Sequence, residues 1–264
     1  MKKIEKNLFK KLIERGNSEN LEDIKKHRRH SLIEAFALLG LEAKTQKRLF
    51  HDNEIHNFYF EIDNSKAFTL ILCAHYDIVN PASENANDNT ASLVNLYMLC
   101  HEYLGLIQAL PYNLSVVFTD HEEIGGLGAE LLAEHIREGS MGMVKSVINL
   151  DLTGLGSHLF MENVTALIKA QIKKALPSVM EELMPFNDAV ILRRHGIDAI
   201  TLSIISLNAE GDPDKSIWRK CHSTEDCFQQ ISLYDMSIFR EQYLLKILQN
   251  LNLTKLKKEE VSQF

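Results

Sequence analysis

Four short, unbroken apolar runs stand out along the chain, at residues 68–74, 114–118, 144–148 and 199–205. A strand covered on both faces reads this way, because neither face has to meet water. Between these runs the apolar positions take a helical period, at residues 91–104, at 127–137 and, despite Pro177, at 166–184. A long amphipathic pattern over 231–251 closes the fold, and the charged stretch 255–264 predicts a frayed tail. Ahead of the first run, residues 48–50 and 55–62 predict a β-hairpin turning at His51-Asp52-Asn53-Glu54. The first forty residues predict two helices. Ile4, Leu8 and Leu12, with Phe9 and Ile13, recur at i, i+4. Gly16-Asn17-Ser18 breaks that pattern, and a second helix runs from near Asn20 to a C-cap at Gly40. Strands alternating with helices predict an α/β fold, a mostly parallel mixed sheet sandwiched by helices, with an N-terminal helical segment packed on it. The 264 residues suit one domain over 1–264. Such a fold binds ligands beyond the carboxyl ends of its strands.

Composition changes this picture little. Hydrophobic residues at 45% and charged residues at 25% describe an ordinary globular protein. A chain this long buries enough apolar surface to fold without disulfides or a structural metal, so any metal is free for chemistry. The net charge of -7 argues against nucleic acid as a partner, since phosphate binding needs clustered cations. The exception is Lys25-Lys26-His27-Arg28-Arg29, which alternates with Leu21, Ile24, Ile33 and Phe36 and reads as a solvated helix face. No apolar stretch approaches the ~18 residues needed to span a bilayer. The basic start at Met1-Lys2-Lys3 is not followed by the ~7–15 apolar residues of a secretory signal. The expectation is a cytosolic protein with no membrane partner. Cys73, Cys100, Cys221 and Cys227 form no CxxC pair, which excludes a thiolate zinc site, and the cytosol favours free thiols.

The chemistry-bearing residues gather at strand ends. The first run ends in His75-Tyr76-Asp77, the second in Asp120-His121-Glu122-Glu123 and the third in Asn149-Leu150-Asp151. A loop holding Asn87-Asp88-Asn89 follows the first run. Three neighbouring strands thus deliver His, Glu and Asp to one rim. Zinc takes imidazole nitrogen and carboxylate oxygen. Two zincs about 3.5–4 Å apart need a bridging carboxylate with further ligands on each side. A metal-bound His donates its other ring N–H to a carboxylate, a role open to Asp77 two residues beyond His75. Adjacent Glu122 and Glu123 can divide the roles of base and ligand.

Read together, five stretches resemble the co-catalytic zinc aminopeptidases typified by bacterial leucyl aminopeptidase, a fold shared with glutaminyl cyclases. They are Ala74-His75-Tyr76-Asp77, Ala86-Asn87-Asp88-Asn89, Glu122-Glu123-Ile124-Gly125-Gly126-Leu127-Gly128-Ala129, Asn149-Leu150-Asp151 and Cys221-His222-Ser223-Thr224-Glu225-Asp226. The resemblance covers roughly residues 70–226 in the family's order. It implies a metal-dependent exopeptidase with two zinc ions. Asp88 would bridge them, His75 and Asp151 would complete one site, and Glu123 and His222 the other. Glu122 would act as general base and Asp77 would orient His75. Asn87 and Asn89 would shape the loop. The substrate would be a short peptide or aminoacyl compound.

The chain departs from the family where many relatives carry Asp-His-x-x-Phe before Gly-Ile-Pro-Ala. Here Asn187-Asp188-Ala189-Val190-Ile191 precedes Gly196-Ile197-Asp198-Ala199, so Ala189 replaces the His and Asp198 the Pro. Thr201 stands where cyclases carry a further His, which weakens the alternative of a glutaminyl-cyclase-like aminoacyl transfer with one zinc. A catalytically inactive binding protein of the same fold is the other alternative, opposed by Glu122 and all five candidate ligands being present. Taken singly, each motif has a plainer reading: Glu122-Glu123 as a charge pair at a helix N-terminus, Asp88 as an N-cap, Asp151 as a turn cap with Gly154. His121 reads as structural. Trp218 and Tyr76 are candidates for a substrate wall, and Arg193 and Arg194 fit a helix surface or a substrate carboxylate. Side-chain specificity and oligomeric state are not encoded in any of these motifs.

Overall fold

The computed structural model of the chain describes residues 2–14, 18–51 and 53–256. The break predicted at Gly16-Asn17, the Asp52 position of the hairpin turn and residues 257–264 of the predicted tail lie outside the described residues. Two helices open the chain, α1 (Lys2–Ile13) and α2 (Leu21–Ala37), followed by the hairpin of β1 (Lys44–Phe50) and β2 (Asn53–Ile62). Then come β3 (Thr69–His75), α3 (Ala91–Gln108), β4 (Asn113–Thr119), α4 (Leu127–Arg137) and β5 (Val144–Leu150). The second half holds β6 (His158–Glu162), α5 (Lys169–Ala175), β7 (Met180–Glu182), α6 (Asp188–Arg194), β8 (Ala199–Ile205) and α7 (Ser216–Lys220). A closing helical run joins α8 (Leu233–Ile238), a wider π-type turn (Phe239–Leu244) and α9 (Leu245–Asn250).

The strands form one eight-stranded mixed sheet in the order β1-β2-β4-β3-β5-β8-β6-β7. The four apolar runs are its parallel centre, β4, β3, β5 and β8. Every residue of β3 and β8 is buried, as a strand covered on both faces requires. The hairpin and β6 pair antiparallel at the flanks. No helix among the described residues is long and apolar enough to cross a membrane.

Two sequence expectations fail here. Residues 166–184 do not form one helix: α5 stops at Ala175, Leu176 turns to φ -135°, ψ 84°, and β7 joins β6 as an edge strand. Pro177 is the cause, since it forces the residue before it out of the helical region and offers no N–H. The basic run on α2 is only in part a solvated face: Lys26 is exposed, but two of its cations are buried. Lys25 is 4% exposed and Arg28 1%. Helix α2 is drawn onto the sheet by Phe36, whose ring stacks on Phe60 at 4.1 Å and meets Phe118 edge-on. Burying such a ring contributes about 1.5–3 kcal/mol, and that docking carries the neighbouring cations inside, where they find carboxylates and hydroxyls.

Candidate metal centre

The parallel strands end on one rim, and the rim is acidic. His75 closes β3; Asp120 to Glu123 follow β4, and Asp151 follows β5. The turn after β4 depends on two glycines. Gly126 sits at φ +75°, and a Cβ on Gly128 would lie 2.2 Å from the Asp120 carbonyl oxygen, so only glycine lets α4 start that close to the strand end. The Gly128 N–H donates to that same carbonyl at 2.9 Å.

Asp88 lies between two imidazoles. His75 Nε2 is 3.1 Å from Asp88 Oδ1, and His222 Nε2 is 3.2 Å from Asp88 Oδ2. His222 Nε2 is also 2.6 Å from Glu123 Oε2, and His75 Nε2 is 4.0 Å from Asp151 Oδ1. All five residues singled out as ligands therefore meet, in two groups that share one carboxylate. His75, Asp88 and Glu123 each offer a donor atom within 4.8 Å of the others. Glu123 Oε1 and Asp151 Oδ1 are buried without a hydrogen-bond partner among the described residues. Buried carboxylate oxygens seldom go unpaired, so this donor set of two imidazoles and three carboxylates fits one or two divalent cations.

The surroundings hold these side chains in place. Asp77 Oδ1 lies 3.3 Å from His75 Nδ1. The same carboxylate accepts the backbone N–H groups of Glu122 at 3.1 Å and Glu123 at 3.2 Å. Asn89 Nδ2 donates to the Leu150 carbonyl and Asn87 Oδ1 accepts from Gly154 N, so both asparagines shape the loop as expected. The Asp88–Asn89 peptide bond is cis. Asp151 does not cap a turn with Gly154.

Crowded carboxylates shift one another. Burial first, then the charges of Asp188, Asp151 and Asp77, push the Glu122 carboxyl up to about 10. Burial and Asp88 push Asp151 up to about 8. Asp88 goes the other way: burial opposes its ionisation, but hydrogen bonds from His222 and His75 hold it below the usual carboxylate range. The Asp88 and Glu123 hydrogen bonds raise His222 to about 10. The cluster thus keeps protons that bound cations would displace.

Among the other candidate residues Tyr76 departs from expectation, whereas Arg193, His121 and Trp218 take places the sequence allowed. Tyr76 forms no substrate wall; it is buried and donates its hydroxyl to the His56 carbonyl at 2.8 Å. Arg193 grips Glu162 with two hydrogen bonds of 2.7 and 2.6 Å and meets no ligand space. His121 faces Lys25 and Asp120, away from the cluster. Trp218 does line the cavity. That cavity, of about 380 Å³, opens onto Asp88, Glu122, Glu123, Asp151 and His222 and is walled by Leu152, Met184, Pro185, Phe186 and Trp218.

Two acidic residues had no assigned role. Asp226, buried at 4% exposure, accepts the backbone N–H groups of Asn87 at 2.7 Å and Asp88 at 3.0 Å. Asp188, fully buried at the start of α6, accepts from Thr119 Oγ1 at 2.5 Å and is pushed up to about 6, chiefly by burial. Both lie inside motif stretches, but nothing in their spacing distinguishes a carboxylate that grips backbone from a loop residue.

The sequence profile of Peptidase family M28 matches residues 57–244. The chain belongs to peptidase family M28. Solved structures similar to this M28 chain include Fimbriiglobus ruber glutaminyl cyclase, at 19% identity over 95% of this chain and 94% of that one, TM-score 0.72. The LapA aminopeptidase of Legionella pneumophila is similar at 14% identity over 96% and 73%, TM-score 0.73. The zinc aminopeptidase BSAP of Bacillus subtilis is similar at 18% identity over 82% of this chain and 53% of its own length, TM-score 0.62. At these identities the likeness establishes the fold. No curated protein matches the M28 chain.

Proposed function

We propose that this M28 protein is a zinc-dependent aminopeptidase that removes N-terminal residues from short peptides. The observation that carries the reading is the sharing of Asp88 between His75 and His222. In this reading Asp88 would be shared by two zinc ions, with His75 and Asp151 holding one and Glu123 and His222 the other. When bound, the ions make water acidic enough to attack at neutral pH and polarise the scissile carbonyl. Glu122, buried at the cavity edge and free of a ligand role, takes the proton of the attacking water and hands it to the leaving amine. Asp77 keeps His75 aimed and, through the Glu122 and Glu123 N–H groups, fixes the turn that presents the base.

The described lining of the cavity holds no Lys or Arg, so a substrate C-terminal carboxylate finds no cationic side chain to pair with there, which supports attack at the amino end. Aminoacyl transfer of the glutaminyl-cyclase kind shares the fold. It is disfavoured by Thr201, whose hydroxyl is committed to Asn187 Oδ1 at 2.7 Å and manages no substrate proton.

The deciding experiment combines a metal assay with a panel of aminoacyl-p-nitroanilides, N-blocked dipeptides and N-terminal glutaminyl peptides. Cleavage of free-amine substrates only, abolished by chelation and restored by zinc, is the expected outcome. Cyclisation of glutaminyl peptides without hydrolysis, or cleavage of N-blocked substrates alone, would overturn it.

A further inference from the structure

The cations that α2 carries inside end at the base-bearing turn. Lys25 Nζ lies 3.1 Å from Asp120 Oδ1 and 3.3 Å from His121 Nε2, with Glu22 Oε1 at 2.6 Å on its outer side. An ammonium only donates, so His121 Nε2 accepts, and Nδ1, 3.1 Å from Asp120 Oδ1, carries the ring proton. Asp120 also accepts the N–H of His121 at 3.0 Å and, through Oδ2, the N–H of His56 at 3.1 Å. It ties β4, β2 and α2 together at one carboxylate. His121 sits at φ +56°, a left-handed conformation that a non-glycine residue holds only under constraint from its surroundings. The His121 carbonyl then accepts from Gly126 N at 2.9 Å and Leu127 N at 3.1 Å, closing the turn around Glu122 and Glu123.

Glu122 is therefore held from two sides. Asp77 takes the N–H groups of Glu122 and Glu123, and the Lys25–Asp120–His121 cluster sets the residue just before them. We propose that Lys25 is a positioning residue for peptide hydrolysis, fixing the aim of the Glu122 carboxylate by clamping Asp120 and His121 from α2. The proposal rests on the reading of Glu122 as the general base. Two neighbours of Lys25 act in the same direction. Arg29 Nη1 donates to the Tyr76 hydroxyl at 3.3 Å, between His75 and Asp77 in the chain. Buried Arg28 bears on Asp226, the residue that grips Asp88. Helix α2 lies outside the matched residues 57–244, whereas Asp120 and His121 lie within them.

A cation that merely neutralises Asp120 would affect folding, metal content and turnover together. A positioning cation affects kcat alone, because a misaimed base costs rate and not binding. The test is Lys25→Met in the full zinc-loaded chain, which keeps the aliphatic stem and removes the donor. On an aminoacyl-p-nitroanilide kcat should fall on the order of 10²-fold, the cost of roughly 1 Å of misplacement, with KM and zinc content unchanged. Unchanged kcat, or kcat, KM and zinc content falling together, would overturn the proposal. Should Lys25→Met fail to fold, the neutral pair Lys25→Met/Asp120→Asn removes the unpaired charge; it should fold and still lose kcat, and wild-type turnover in the pair would count against the clamp. If the wild type cleaves no free-amine substrate, the functional reading fails and the clamp is decided by hydrogen exchange instead. The Gly126 and Leu127 amides should then exchange about tenfold faster in Lys25→Met, and unchanged protection would refute it.

Discussion

Asp226 Oδ2 accepts the backbone N–H of Asp88 at 3.0 Å, so the turn that supplies His222 also grips the residue whose carboxylate both histidines share. The second oxygen takes Asn87 N at 2.7 Å. Groups that orient ligands in this way typically influence metal affinity about 10–100-fold. Asp226→Ala should weaken zinc binding by that amount in competition with a chromophoric chelator. Asp226→Asn should do nearly as badly, because its amide NH₂ would face one of two backbone donors. Wild-type affinity in both variants would show that the bridging loop needs no such grip.

Glu122→Gln separates base from ligand. Glu122 touches neither histidine, whereas Glu123 lies 2.6 Å from His222. The variant should keep its zinc and lose kcat by about 10²–10⁴-fold, the contribution of a general base. Glu123→Gln should lose metal as well as turnover. Equal zinc loss in the two variants, measured by elemental analysis after dialysis, would reverse the roles.

Stability hangs on a buried arginine in the π-type turn. Arg240, 1% exposed, donates to Glu5 Oε1 at 2.6 Å and Asn95 Oδ1 at 2.8 Å, with Glu102 Oε2 at 3.5 Å. It joins α1, α3 and the closing helical run. Arg240→Met leaves Glu5 and Glu102 buried without their cation, and breaking such a cluster from one side costs about 3–5 kcal/mol. Urea unfolding at fixed zinc concentration should register that loss. Wild-type stability would mean that water replaces the guanidinium.

Acid should destabilise the fold through His56. Burial first, then the charges of Arg29 and Lys47, lower its pKa from 6.5 to about 4. Between those values the unfolded chain binds a proton that the folded chain refuses, so stability rises with pH across that window and is lost as pH falls through it. The contribution is complete above pH 6.5, and its slope ends below about 4. His56→Gln should flatten the stability curve in that window. An unaltered slope in the variant would assign the acid sensitivity to other groups.

Much of this was legible in the chain. The parallel centre of the sheet announced itself because strands covered on both faces have no polar alternation, and His75, Glu123 and Asp151 because strand ends put them on one rim; His222 was indicated only by the family resemblance. What stayed hidden depended on partners distant in sequence. Residues 158–162 pair with β8 and residues 180–182 pair with β6, and nothing local predicts either strand. The basic run on α2 has helical spacing compatible with water or protein on that face. Only the docking of Phe36 against Phe60 and Phe118 decides for protein. Asp226 looks like any acidic loop residue until the backbone of Asn87 and Asp88 arrives.

The account stands on Asp88 serving two cations at once, and zinc stoichiometry by elemental analysis of the dialysed protein tests it most directly. Wild type should retain about two zinc per chain, the number a shared carboxylate implies, and Asp88→Ala should retain almost none. Full zinc content in Asp88→Ala, or a wild type that holds one zinc per chain or none, would contradict it.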